Sequence, residues 1–145
     1  MLMKILVLNG PNLARLDLRD SSIYGDLNYS ELSELIETTS KNHGFDADIR
    51  QSDDEATLIA WLHEAADKKL AVIFNPAAFT HYSYAIRDAA ALLTAPLIEV
   101  HLSNPMSREE FRHTSVISGV AKGTIAGFGP QSYVLAIIAL KSLIA

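Results

Sequence analysis

The chain of 145 residues contains no cysteine. That absence excludes a disulfide framework and any thiolate metal site, and it fits a reducing compartment. Basic residues are in the minority, twelve against seventeen acids for a net charge of -5. Such a balance works against binding a phosphate backbone, and no stripe of Lys and Arg interleaved with aromatics offsets it. Nucleic acid is not an expected partner. Neither is a membrane, since no apolar run approaches the roughly eighteen residues of a span. The stretch from Met1 to Leu8 leads straight into Asn9-Gly10-Pro11 without a small-residue cleavage site, so it is read as a strand and the protein as cytoplasmic. The sequon Asn28-Tyr29-Ser30 carries no weight without a secretory signal. No linker, repeat or low-complexity segment interrupts the chain. With 49% hydrophobic residues it is long enough for one core and too short for two ordinary domains, so residues 1–145 are expected to form one domain.

What is present is an alternation of apolar runs with helix-period stretches, about five times over, which is the pattern of successive βα units. Strands are expected at Lys4 to Leu8, Asp46 to Arg50, Leu70 to Phe74, Leu97 to Val100 and Thr124 to Ala126. The second alternates apolar and charged residues like a sheet edge, whereas the third is apolar throughout and the fourth is apolar apart from Glu99, like strands covered on both faces. Capping-box spacings mark helix starts at Asn28 with Glu31, Ser52 with Glu55, and Ser107 with Glu110. Gly44 stops the first helix, and Pro130 opens a last one that ends near Ile144. Right-handed crossovers then give an α/β fold: a flavodoxin-like, doubly wound five-stranded parallel sheet of order 2-1-3-4-5 in three α/β/α layers.

Ligands of such sheets bind at the carboxyl ends of the strands, where strand order reverses. The polar residues collect there: Asn12 after strand one, Asn75 and His81 after strand three, His101 and Ser103 after strand four. Glu99 and His101, two apart in a strand, share a face. A carboxylate beside an imidazole favours the cation and suits a general acid, although a buried pair that only satisfies itself has the same spacing. Asn9-Gly10-Pro11-Asn12 is also an ordinary tight-turn sequence. Between Ala14 and Gly25 no clean periodicity exists, and Arg15, Arg19 and Tyr24 lie there as in a mobile lid. Tyrosine is a poor base at its free pKa of about 10, and nearby cations are required to make it one; otherwise Tyr24 is a packing aromatic. Residues Arg108 to His113 read as a solvated helix start, apart from Arg112, whose planar guanidinium suits an anionic or polyhydroxylated ligand. His43 and His63 sit away from the strand ends and are taken as structural. His81 and His101 lack the spacing of a zinc motif, and no metal is expected.

Three segments together, Leu8-Asn9-Gly10-Pro11-Asn12-Leu13, Asn75-Pro76-Ala77-Ala78-Phe79-Thr80-His81 with Arg87-Asp88, and Glu99-Val100-His101-Leu102-Ser103-Asn104 running on to His113, resemble the type II 3-dehydroquinate dehydratases over nearly the whole chain. The resemblance implies trans elimination of water from 3-dehydroquinate through an enolate, without metal or covalent cofactor. It implies Tyr24 as base helped by Arg19, and His101, paired with Glu99, as the acid that protonates the departing hydroxyl. Asn12 would help hold a water against the enolate oxygen. Asn75, His81, Arg112 and the backbone at Leu102 and Ser103 would hold substrate. Trimers joined into dodecamers are implied too, with Asp88 reaching a neighbouring subunit's site. The same step serves aromatic biosynthesis through the shikimate pathway and quinate breakdown.

Departures from the family pattern cluster around the lid. Ala14-Arg15-Leu16-Asp17 replaces Asn-Leu-Leu-Gly-like residues, Ser21 replaces a proline, Asp53-Asp54-Glu55-Ala56 replaces Asn-His-Glu-Gly, and Ala77 replaces a glycine. Asp17 is expected to compete with Tyr24 for the charge of Arg19, weakening closure and turnover while binding survives. A binding or scaffold protein with impaired catalysis is therefore the alternative. Other rivals fit less well. The Asn-Gly-Pro-Asn turn lacks the hydroxyls of a flavin-phosphate loop, Gly127-Phe128-Gly129 lies in the wrong βα unit for a dinucleotide, and asparagines stand where a receiver domain carries acids. None of the six lysines lies in a site loop, which disfavours Schiff-base chemistry.

Overall fold

The computed structural model describes residues 1–144. Five strands, β1 (Met3–Asn9), β2 (Phe45–Gln51), β3 (Val72–Asn75), β4 (Leu97–His101) and β5 (Gly123–Ala126), form one parallel sheet in the expected order β2-β1-β3-β4-β5. Helices α2 (Tyr29–Asn42) and α5 (Gln131–Ile144) cover one face; α3 (Glu55–Lys68) and α4 (Tyr84–Ala90) cover the other. Alternation along β1 divides its side chains between them. Ile5 and Val7 join Leu32, Ile36, Tyr133 and Ile137, while Leu6 and Leu8 join Leu58, Leu62 and Ile86. All eleven are completely buried. At about 25 cal/mol per Å² of apolar surface, each such side chain contributes roughly 1.5–3 kcal/mol, and the sheet is held from both sides.

Element ends differ from expectation for local reasons. Leu70 and Ala71 do not join β3, because α3 ends in a left-handed residue, Lys69 (φ 56°), and the Leu70 N–H is turned back to the carbonyl of Ala65 at 2.9 Å. The Asn28–Glu31 capping box forms. The other two do not. Asp54 takes the N-cap of α3, accepting from the Ala56 N–H and the Thr57 hydroxyl, while Ser52 accepts from the Asp54 N–H. Around Ser107 the chain makes two 3-10 turns, Pro105–Ser107 and Glu110–His113; Asn104 caps the first, and the Ser107 hydroxyl donates to its carbonyl. Proline one residue after Asn104 suits the first position of this turn.

The segment after β1 is ordered by packing. Leu13 and Leu16, spaced for a 3-10 turn, are both buried in Leu13–Leu18, and the short α1 (Ser21–Tyr24) follows. Close approach at Gly10 sets the geometry of the adjoining strand ends. A Cβ there would lie 2.6 Å from the Pro76 carbonyl oxygen, and the Gly10 N–H donates to Asn75 O at 2.8 Å. The loops after β1 and β3 are thereby brought together.

Candidate active site

At that strand edge lies a solvent-open cavity of about 110 Å³. It gathers Asn12, Arg19, Tyr24, Asn75, His81, His101, Leu102, Ser103 and Arg112, together with Arg108. Among the described residues no carboxylate lines it. Of the residues expected in the site, only Glu99 and Asp88 are absent from its wall.

Glu99 stands directly behind His101 and is completely buried. Its Oε2 accepts from His101 Nε2 at 2.5 Å, which leaves Nδ1 as the ring nitrogen available to the cavity. Burial pushes the Glu99 carboxyl upward, but the bonds from His101, Ser118 and Thr80 outweigh it and hold the group below its ordinary value. The pair is thus an ionised carboxylate behind an imidazole. Asp88 is different: its side chain is 77% exposed, pairs among the described residues only with the adjacent Arg87, and does not line the cavity.

Tyr24, buried in the core cluster, receives a hydrogen bond from Arg19 Nη2 on its phenolic oxygen. The guanidinium carbons of Arg19 and Arg108 lie 3.6 and 5.0 Å from its ring centroid. Burial, and next the neighbouring Arg108 and Arg112, lower the proton affinity of Arg19 despite the attraction of Tyr24. Asp17 does not compete for it. Both Asp17 oxygens accept from Arg15 at 3.2 Å in an exposed pair. The expected interference with Arg19 is therefore absent, because Arg15 occupies both oxygens of that carboxylate while the Arg19 guanidinium is turned to Tyr24.

Asn12 adopts a left-handed conformation (φ 70°) fixed by its N–H donating to Asp53 Oδ1 at 2.9 Å. Gln51 Nε2 braces this turn by donating to both Asp53 Oδ1 and Gly10 O. Asn75 is mostly occupied with structure. Its Nδ2 donates to the Tyr133 hydroxyl at 2.9 Å and its Oδ1 accepts from the Ala77 N–H, which leaves one amide hydrogen for a ligand. His81 holds the Thr114 carbonyl at 2.8 Å through Nδ1, and burial depresses its proton affinity. Neutral His81 therefore offers Nε2 as an acceptor. Among the described residues, the N–H groups of Leu102 and Ser103 find no backbone carbonyl.

Arg108 is the site residue that its sequence context conceals. The Asn104-Pro105 turn carries it inward, where Nη1 donates to Ser103 Oγ at 3.0 Å and the buried Nε has no hydrogen-bond partner among the described residues. Arg112 lies beside it, its Nε donating to Glu109 at 2.9 Å. Three guanidinium groups, a phenol and a carboxylate-backed imidazole define the class: an α/β protein with an acid–base site for an anionic small molecule.

Comparisons narrow this. Residues 3–141 match the family model described as Dehydroquinase class II. The chain is 55% identical to proteins named 3-dehydroquinate dehydratase from Salinispora tropica and from Mycobacteroides abscessus, in each case over 93% of this chain and 94% of the relative. The solved type II dehydroquinase of Propionibacterium acnes superposes with a TM-score of 0.94 at 46% identity, over 98% of this chain and 99% of that one. The chain belongs to the class II dehydroquinase family.

Proposed function

We propose that residues 1–145 form a single domain that acts as a hydro-lyase, removing water from 3-dehydroquinate to give 3-dehydroshikimate. The observation that carries this reading is the placement of Tyr24, flanked by guanidinium groups, and His101, backed by Glu99, on the walls of one cavity. The name shared by the curated relatives supports the choice of substrate.

Tyr24, as phenolate, takes a proton from the carbon beside the ketone, and Arg19 and Arg108 stabilise its charge. The electron pair of that C–H bond moves into the carbonyl to give an enolate, whose oxygen is held by a water that Asn12 positions. When the enolate re-forms the ketone, the β-carbon–oxygen bond breaks. His101 Nδ1 delivers its proton to the leaving hydroxyl, which departs as water. The proton gained by Tyr24 equals the one lost by His101, and exchange with solvent resets both. Arg108 and Arg112 suit the substrate carboxylate. His81, the free amide hydrogen of Asn75 and the N–H groups of Leu102 and Ser103 suit its oxygens.

The reading extends to a cytoplasmic homo-oligomer, a dodecamer built of trimers, in which Asp88 of a second copy completes the site. Its outward position in the single chain supports this. The test is turnover of 3-dehydroquinate, followed by the ultraviolet absorbance of the conjugated product, for wild type beside Tyr24→Phe and His101→Ala. Activity lost by about 10²–10⁴ in each variant is the expected result. A wild type that binds substrate without turning it over would instead favour a binding or scaffold role.

A further inference from the structure

Behind the acid–base pair the Glu99 carboxylate accepts more than the imidazole. Oε2 also takes the Thr80 hydroxyl at 2.5 Å, while Oε1 takes Ser118 at 2.6 Å and Ser115 at 2.9 Å. Three hydroxyl hydrogens and one imidazole hydrogen meet a group with about four lone-pair sites, so the carboxylate is saturated with donors. An added proton would have to evict one of them.

The three hydroxyls come from two loops and are themselves fixed. Thr80 lies in the 3-10 turn Ala77–His81, and its carbonyl accepts from the Val116 N–H at 2.7 Å. Ser115 Oγ accepts the N–H groups of Ile117 and Ser118, which commits its own hydrogen outward to Glu99. Ser118 opens the turn Ser118–Val120, and its oxygen lies 3.1 Å from the Thr124 hydroxyl on β5, which donates to it. The loops after β3 and β4 are thus clasped around one anion.

We propose that Thr80, Ser115 and Ser118 are positioning residues that keep Glu99 a bare carboxylate and thereby set how readily the Glu99–His101 pair releases its proton to the leaving group. Each donor stabilises the pair's deprotonated state, which carries the full negative charge, more than its protonated state. The cage therefore lowers the pair's proton affinity and makes it a stronger acid. Without the hydroxyls the carboxylate would retain the imidazole proton more tightly, and transfer to the departing oxygen would be slower. Other charged or titratable groups facing the pair are His81 on the β3 side and Arg19, Tyr24, Arg108 and Arg112 across the cavity. β5 contributes the uncharged Thr124, and α5 contributes Tyr133, whose phenol is engaged by Asn9 and Asn75. Deleting a cage hydroxyl adds or removes no charged or titratable group, and in Ser118→Ala the Thr124 hydroxyl loses its acceptor.

The inference rests on the dehydration reading for its kinetic consequence, but not for its titration. The experiment compares wild type, Ser118→Ala and Ser118→Thr by ¹⁵N-imidazole NMR titration of His101 in the ligand-free protein and by the pH dependence of kcat for 3-dehydroquinate. Ser118→Ala is expected to raise the proton-loss midpoint of the pair by about half a unit to one unit, as one charge-assisted bond is lost. The alkaline limb of kcat moves up with it, and kcat at the optimum falls about threefold to tenfold. Ser118→Thr restores both. Thr80→Val and Thr80→Ser repeat the test if the Ser118 variants fail to fold. An unmoved midpoint in a folded hydroxyl-free variant overturns the proposal, as does a folded hydroxyl-bearing variant that shifts equally. Inactivity of the wild type would overturn the assigned reaction alone, and the titration would still decide the cage.

Discussion

Arg19 and Tyr24, five residues apart, meet through two contacts: the guanidinium stacks 3.6 Å from the ring centroid, and its Nη2 donates to the phenolic oxygen. A single cation thus covers both the ring and the atom that carries charge in the phenolate. The Asp20 cap positions them, since its side chain accepts from the Ser22 N–H and starts the short helix that ends at Tyr24. Lysine has a compact ammonium and lacks the planar fork needed to stack and donate together. Arg19→Lys is therefore expected to lower kcat by about tenfold to a hundredfold, with Arg19→Leu lower still, and to leave the far-ultraviolet circular dichroism unchanged. Wild-type kcat in Arg19→Lys would show that charge alone is sufficient.

Asp17 is predicted to be neutral in catalysis. Its carboxylate is fully engaged by Arg15, both side chains are more than half exposed, and neither touches Arg19. Surface pairs of this kind carry little energy. Asp17→Gly should leave kcat and its pH profile unchanged; a rise in kcat would mean that the aspartate does restrain the lid.

Ala77 holds a left-handed conformation (φ 53°) that glycine adopts without strain. Relief of that strain exceeds the loss of one half-buried methyl and the added freedom of the unfolded chain. Ala77→Gly is expected to stabilise the protein by roughly 0.5 kcal/mol, raising Tm by about 1–2 °C in calorimetry. A lower Tm would show that the methyl's packing against the core outweighs the backbone term.

Asp53 fixes Asn12 from the end of β2 through a 2.9 Å bond to its N–H. If Asn12 acts on the enolate rather than on bound substrate, loosening it affects the transition state. Asp53→Ala should lower kcat about threefold to tenfold with little change in KM, and Asp53→Asn, which keeps an acceptor, should remain near wild type. An effect confined to KM would place Asn12 in ground-state binding.

The sheet was legible in the sequence because buried parallel strands are continuous apolar runs, and the strand-end asparagines and histidines followed from the sheet's chirality. Other features depend on geometry without a local signature. Leu13 and Leu16 lie three apart, too short a pattern to distinguish a 3-10 turn from a loop. Arg108 sits in a run of charges, and only the Asn104-Pro105 turn makes it an inward residue. Ser115 and Ser118 lie sixteen and nineteen positions from Glu99, so nothing near the strand announces its donors. Ser52 and Ser107 have capping spacing, but Asp54 and Asn104 lie closer to the actual helix starts.

Acid stability provides the last prediction. The folded-state proton affinity of Glu99 is depressed because the bonds from His101 and the hydroxyl cage outweigh burial, whereas an unfolded glutamate titrates near about 4.3. A depressed carboxyl contributes stability that is fully present above the unfolded value and is lost as pH falls through the folded one. Glu99→Gln cannot ionise and lacks that contribution at every pH. Urea unfolding should show the variant less stable than wild type at pH 7 by on the order of 1–3 kcal/mol, the cost of losing charge-assisted bonds. The difference should begin to narrow as pH falls through the unfolded value of about 4.3, where the unfolded chain takes up the proton first, and should go on narrowing until the folded carboxylate is protonated too. A gap that stays constant over that range would mean that the carboxylate's charge does not stabilise the fold and that only the shape of the side chain matters there.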